Sequence, residues 1–194
     1  TELVAMRGGG YALELPPDAI DVHRYEHLVA AGQRANADGD PNHAVTLLTE
    51  ADALWRGDPP ARFTYEEVAG PAIARLSELR LVATEERLDL QLALGRHQSV
   101  IVQLEELVAV HPLRERLRGL LMLALYRAGR QADALAALRQ ARHVLREEFG
   151  LDPGEELVEL ERAILAHDPG LAATGLTLTG ARSSCPYKGL TFYD

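Results

Sequence analysis

The sequence is poor in cysteine, lysine and aromatic residues. Cys185 is the only cysteine among 194 residues, which excludes a disulfide framework within one chain and a multi-cysteine zinc site. Lys188 is the only lysine, so the positive charge of the chain rests on arginine. The sequence also lacks a long apolar run and a basic-then-apolar leader. We therefore expect neither a membrane helix nor a signal peptide, and a cytoplasmic location.

The net charge of −9 argues against a general nucleic-acid coat, because phosphate binding needs a positive face. The positive charge is nevertheless concentrated in one segment, since eight arginines lie between Leu113 and Arg146 and only Glu115 and Asp133 oppose them. Two interpretations stay open: a solvated basic face, or a patch for an acidic protein surface or DNA phosphates. The candidate protein-interaction residues, chosen for their helical spacing, are Arg114, Arg118, Arg139, Arg142 and Arg146.

Apolar residues make up 47% of the chain and recur with a helical period between glycine and proline breaks. This pattern predicts an all-α chain of about seven helices. Asp18 and Asp21 are candidate N-caps of the first helix, and Pro71 is the candidate first residue of the third. A further short helix is predicted from Tyr65 to Ala69. The main helices are expected at about 22–35, 44–55, 71–94, 99–110, 113–128, 131–149 and 155–167.

Both ends of the chain differ from this helical pattern. Leu3–Arg7 and Tyr11–Leu15 are strand-like runs on either side of Gly8, Gly9 and Gly10, and the pattern predicts a β-hairpin. A two-stranded hairpin is marginal in water, so we expect it to pack on another element, and a segment upstream of Thr1 is the candidate. Residues 171–194 are rich in Gly, Thr and Ser and are expected to be a linker.

An internal repeat is the strongest signal in the helical part. Gly95 and Gly129 are 34 residues apart, which is the tetratricopeptide spacing. A small or β-branched residue follows Gly39, Gly95 and Gly129 at the same offset of five: Ala44, Val100 and Ala134. The rival interpretation is a generic helical bundle with coincident glycines. The repeat predicts a solenoid of stacked helix pairs, whose concave face holds another protein segment.

No arrangement of residues points to catalysis. His23 and His27 are four residues apart on one helix face and could hold a metal, but surface histidines at that spacing are common. The glycine patterns of dinucleotide and phosphate binding are incomplete or missing. We therefore predict no enzymatic activity, no metal site and no cofactor.

Two segments carry a family resemblance. HPLRERLRGLLMLALYRAGRQADAL, from His111 to Leu135, and EEFGLDPGEEL, from Glu147 to Leu157, closely resemble the bacterial transcriptional activator domain of the SARP-type (antibiotic regulatory protein) transcription factors. The resemblance spans about Pro17 to His167. It implies that residues 17–170 are the helical domain of a pathway-specific transcriptional activator.

In that family a winged-helix DNA-binding domain of the OmpR type precedes the helical domain. Residues 1–16 resemble its final wing hairpin, although Met6 stands where the family usually has threonine. No helix-turn-helix precedes Thr1, so we expect a fragment of a longer protein. The resemblance implies that the missing winged helix binds promoter DNA, with Arg7 as a candidate DNA contact. It also implies that the repeats form a homodimer, contact RNA polymerase or relay a signal.

The tail carries a second, shorter resemblance. Residues 185–190, CPYKGL, are similar to the lead-in of STAND-type signalling ATPase modules. On this interpretation residues 171–194 are a linker and the start of such a module. The alternative function is then a protein- or ligand-sensing repeat module that regulates a signalling ATPase.

Overall fold

The computed structural model of the chain describes residues 4–7, 10–13, 20–57 and 69–172. These ranges contain two short strands and eight helices, the last of a single turn. The predicted short helix at Tyr65–Ala69 and the tail from residue 173 onward lie almost entirely outside them. The elements are β1 (Val4–Arg7), β2 (Gly10–Leu13), α1 (Asp21–Ala37), α2 (Pro41–Asp52), α3 (Ala69–Ala93), α4 (His97–Val110), α5 (Glu115–Arg127), α6 (Gln131–Phe149), α7 (Glu155–Leu165) and α8 (Pro169–Ala172).

The two strands run antiparallel. Their register pairs Val4 with Leu13 at one end and Arg7 with Gly10 at the other. Gly10 was expected in the turn, but its backbone belongs to β2. The two residues that join the strands lie outside the described ranges.

The chain divides into two compact units, residues 1–96 and 97–194. In the first unit α1 packs against α2, and α2 packs against α3. In the second unit α5 is the central element, because α4, α6, α7 and α8 all contact it. Both units are built from helices that follow each other along the chain and pack together, which agrees with the predicted all-α, tetratricopeptide-like class.

The turn glycines of the predicted repeat have one shared conformation. Gly39, Gly95 and Gly129 have φ angles of +83°, +81° and +79°. Each glycine amide donates to the carbonyl three residues earlier, and the next amide donates to the carbonyl five residues earlier, at 2.8 to 3.1 Å. This is the double hydrogen bond of a Schellman C-cap, which requires a left-handed residue. The prediction that these glycines end helices is confirmed.

The positions five residues after these glycines are closely packed, also as predicted. Ala44 and Ala134 are fully buried and Val100 is 1% exposed. In the first pair the close approach has a second contributor, Gly32. A Cβ atom added there would lie 2.9 Å from Cγ of Leu48, a fully packed side chain.

The apolar stripe predicted for α1 forms the core of the first unit. Its buried residues are Tyr25, Val29, Gly32 and Ala35, and they face Ala44, Val45, Leu48 and Ala51 of α2. In the second unit α5 is buried without interruption from Leu117 to Leu125. A helix that is buried on all sides must be surrounded by other elements, which agrees with its central place.

Several predicted helix ends were wrong by a few residues. Asp21 is the first residue of α1 and not its N-cap, since Ile20 occupies that position without a side-chain hydrogen bond. Pro71 lies two residues inside α3 rather than at its start. Leu171 was assigned to the linker but belongs to α8, where its carbonyl accepts a hydrogen bond of 2.7 Å from Nε of Arg127.

None of the helices in the described part of the chain has the length and apolarity needed to cross a membrane.

A substitution at Gly129 tests the turn geometry. Because an L-residue is strained at a φ of +79°, we expect Gly129→Ala to lower the free energy of unfolding by about 1 kcal/mol. Asparagine tolerates the left-handed region better, so Gly129→Asn should lose less. Urea denaturation followed by circular dichroism measures both. Equal stability of Gly129→Ala and the parent chain would contradict the assigned turn.

Candidate protein-interaction site

The five candidate arginines lie on two neighbouring helices of the second unit. Arg114 is the N-cap residue of α5, and Arg118 lies one turn inside that helix. Arg139, Arg142 and Arg146 follow each other along α6. Because α5 is central and α6 is half exposed, the five side chains have very different surroundings.

Arg118 is not part of a solvated face, and the interpretation of this residue as a surface contact was wrong. It is 3% exposed, and its Nε and Nη2 atoms donate to the carbonyl of Pro112 at 2.8 and 2.6 Å. Burial lowers the pKa of its guanidinium, while the nearby Glu115 acts in the opposite direction. Arg118 therefore joins the α4–α5 connection to α5 and is unavailable to a partner.

Two further arginines hold neighbouring elements of the second unit together. Arg142 donates to Glu161 of α7 at 3.0 Å, and both side chains are less than one-third exposed. Arg146 binds Asp152, in the segment before α7, at 2.6 Å. The Arg146 pair is more exposed than the Arg142 pair, so solvent screening leaves it a smaller contribution to stability. Arg114 is half-buried and also has a partner within the chain.

Arg139 differs from the other four candidates. It is exposed, and no hydrogen bond or ion pair involves its side chain among the described residues. The exposed positions one turn away on α6 are Ala136 and His143, with Gln140 beside it. We call this surface, formed by Ala136, Arg139, Gln140 and His143, the α6 face. It presents the Arg139 guanidinium beside one small side chain and two polar ones.

The remaining sequence candidates fall outside this site. The backbone of Arg7 pairs with Gly10 at the end of β1, but its side chain lies outside what the structure describes. His23 and His27 are both exposed on α1. No group of three metal-binding side chains occurs in the described ranges. The tail segment 185–190 and Cys185 also lie outside those ranges.

The sequence did not reveal an aromatic cluster in the first unit. The rings of Tyr25 and Trp55 are perpendicular, at 89°, with centroids 5.6 Å apart. The guanidinium of Arg80 lies 4.7 Å from the Trp55 ring centre and is bound by Asp52 at 3.2 Å. Tyr25 lies in the first half of α1, Asp52 ends α2, Trp55 follows that helix by three residues and Arg80 lies in the middle of α3. No spacing rule connects them.

Asp52 also faces a buried arginine. Its carboxylate lies 3.7 Å from Nη2 of Arg87, whose side chain is 9% exposed. Burial lowers the pKa of Arg87, and the charge of Asp52 raises it again in part. Asp52 thus ties two arginines of α3 to the end of α2.

Comparisons with known proteins bear on the whole helical part. The family model described as bacterial transcriptional activator domain matches residues 20–165. The chain is 44% identical to regulatory protein AfsR of Streptomyces griseus, over 88% of this chain and 18% of that protein. It is 38% identical to regulatory protein DnrI of Streptomyces peucetius, over 90% of this chain and 64% of that protein. The chain thus spans less than two thirds of either relative.

A solved structure shows the same fold. It is that of Mycobacterium tuberculosis EmbR in complex with a low-affinity phosphopeptide, with a TM-score of 0.79 at 33% identity. The similarity covers 86% of this chain and 44% of that one. These proteins are named as transcriptional or regulatory proteins, which does not favour the alternative of a module that regulates an ATPase. Since the family match covers most of the chain, the chain belongs to the bacterial transcriptional activator domain family, in its SARP-type group.

Proposed function

We propose that this chain is part of a pathway-specific transcriptional activator whose helical domain contacts RNA polymerase through the α6 face. The observation that carries the proposal is the exposed guanidinium of Arg139, which has no partner among the described residues, within a domain of the activator family. Promoter DNA is the second partner, bound by a winged helix that precedes the helical domain.

The different surroundings of the candidate arginines support the polymerase contact. Arg118 is buried, while Arg142 and Arg146 are occupied by acidic side chains of their own chain. Arg139 is the candidate whose donors have no partner in the described part of the chain, so they are available to another molecule. An exposed guanidinium suits a carboxylate on a partner surface, because its planar donors can bind both oxygens.

The two strands support the DNA partner. Their antiparallel pairing places Arg7 at the end where the strands connect, and the match to the activator domain begins soon afterwards, at residue 20. A hairpin of this size needs another element to pack on. In the proposal it is the last hairpin of the winged helix, and Arg7 contacts the DNA backbone or minor groove.

A charge reversal at the α6 face tests the polymerase contact. We expect Arg139→Glu to reduce the retention of the chain on immobilised RNA polymerase holoenzyme about tenfold at physiological salt, since attraction to an acidic surface becomes repulsion. Arg34→Glu is the matched control, because Arg34 is also exposed and without a partner in the described residues, on α1 of the other unit.

The pull-down has three possible outcomes, and each one supports or contradicts the polymerase contact. Retention that falls in Arg139→Glu and persists in Arg34→Glu supports the proposal. Equal retention of both variants contradicts the assigned face. If neither the parent chain nor the variants are retained, the polymerase contact is wrong, and sedimentation velocity then tests whether the domain forms a homodimer instead.

A further inference from the structure

The first unit contains a pocket that neither DNA binding nor the polymerase contact uses. Its volume is about 250 Å³, and its apolar walls are Val22, Tyr25, Leu54, Trp55, Ile73 and Leu76. A dry apolar cavity of about 150 Å³ already accommodates benzene. The pocket is therefore large enough for a single ring with substituents or for a branched acyl chain.

The aromatic wall of the pocket is held in place by contacts with residues that do not line the pocket. Arg80 lies over the Trp55 ring, and Asp52 fixes Arg80. The perpendicular arrangement of Tyr25 and Trp55 is a favourable aromatic geometry. Because these contacts are made within the protein itself, a ligand would lose little free energy in ordering the wall.

The interior of the pocket excludes charge. Burial together with the charge of Asp52 raises the pKa of Tyr25 to about 12. The tyrosine is therefore neutral at physiological pH. The other four wall residues are aliphatic. A charged group placed among them would lose its hydration without gaining a partner.

The mouth of the pocket carries one acidic and one basic side chain. Asp21 and Arg56 also line it, and they are 65% and 84% exposed, with 3.5 Å between the carboxylate and the guanidinium. An exposed pair at this distance is weak, so either side chain can turn to another group at little cost. Together they offer a hydrogen-bond acceptor and donors to the polar end of a neutral molecule.

We infer that the pocket between α1, the end of α2 and α3 binds a neutral, mostly apolar small molecule with a ring or branched carbon body and one polar end. The apolar body lies against Trp55 and the aliphatic residues, and the polar end lies between Asp21 and Arg56. This inference is independent of the polymerase contact, which lies in the other unit.

Trp55 gives a direct readout, because it is the only tryptophan of the chain. The side-chain indole resonance in a ¹⁵N-labelled sample is followed while cyclohexanol, cyclohexanecarboxylate and cyclohexylammonium are added in turn. The three probes share one ring and differ in charge. We expect cyclohexanol to shift the resonance saturably with a Kd on the order of 1 mM, as suits a ligand of this size. The two charged probes should bind at least about tenfold more weakly.

Filled-pocket variants complete the test. Ile73→Phe and Leu76→Phe each add volume to a pocket wall and should weaken the binding of cyclohexanol several-fold. Val102→Phe is the control, because Val102 is 63% exposed on α4 of the other unit, and it should respond as the parent chain does.

The inference is overturned if no probe saturates, if the three probes bind equally, or if folded Phe variants bind cyclohexanol as tightly as the parent chain does. The charge selectivity of the parent chain decides the matter by itself where neither filled variant folds. The assay contains no polymerase, so its failure leaves the proposed function untouched.

Discussion

Replacing Leu120 with alanine is expected to lower the free energy of unfolding by about 3 to 4 kcal/mol, the largest effect of any single truncation proposed here. Leu120 is fully buried on α5, which is enclosed on every side from Leu117 to Leu125. A rigidly enclosed site relaxes little when its side chain is removed, so a cavity term adds to the lost transfer free energy. Urea denaturation followed by circular dichroism measures the change.

Leu113→Ala is the matched control for this truncation. Leu113 is the same residue type, lies just before α5 and is 47% exposed. Its truncation should change the free energy of unfolding by less than about 0.5 kcal/mol. A loss below about 1 kcal/mol for Leu120→Ala would contradict the central position of α5 in the second unit.

Arg118→Met is expected to lower the free energy of unfolding by about 2 to 3 kcal/mol. Methionine keeps much of the apolar stem but removes both hydrogen bonds to the Pro112 carbonyl. Arg118→Lys should recover only part of the loss, because a single ammonium cannot reproduce two donors in a plane. Thermal and urea unfolding of the three proteins measure the difference.

Arg139→Met serves as the reference for this change. Arg139 is exposed and has no partner among the described residues, so the same substitution should alter stability by less than about 0.5 kcal/mol. Similar losses at the two positions would show that Arg118 is not held as described. Reversing the charge of all five arginines would lower stability as well as any binding, because Arg118, Arg142 and Arg146 hold parts of the chain together. Arg139 alone therefore tests the interface.

The turns of the repeat could be predicted because glycine reports a backbone requirement directly. Gly39, Gly95 and Gly129 stand where a left-handed residue ends a helix, and few other residues tolerate that conformation. The α1 stripe from Tyr25 to Ala35 was predicted for a similar reason, since helical periodicity separates a core face from a solvent face.

The roles of the arginines could not be predicted in the same way. Arg114 and Arg118 are four residues apart, and that spacing states only that they share a helix face. Whether the face meets solvent depends on the helices around α5, which are brought there by tertiary packing. The positions of Arg142 and Arg146 likewise become informative only when Glu161 and Asp152 lie opposite them.

The pocket could not be predicted from the sequence either. The pocket depends on residues that are far apart in the sequence: Tyr25 and Trp55 are 30 residues apart, and Trp55 and Arg80 are 25 apart. They meet only when α1, α2 and α3 pack. In the sequence each residue looks like an ordinary member of an apolar or charged face.

The N-cap of α1 was missed because Asp21 stands one residue later than a capping side chain requires.

The central claim is that the helical domain itself activates transcription through the α6 face. The most direct measurement fuses the chain to an unrelated bacterial DNA-binding domain and records expression of a reporter that carries the matching operator. We predict that the fusion raises expression at least about tenfold over the DNA-binding domain alone, as expected for a recruiting contact worth about 1.4 kcal/mol. Arg139→Glu should remove most of this increase, while Arg34→Glu retains it. Expression no higher than that of the DNA-binding domain alone, from a fusion shown to be folded and bound at the operator, would contradict the claim.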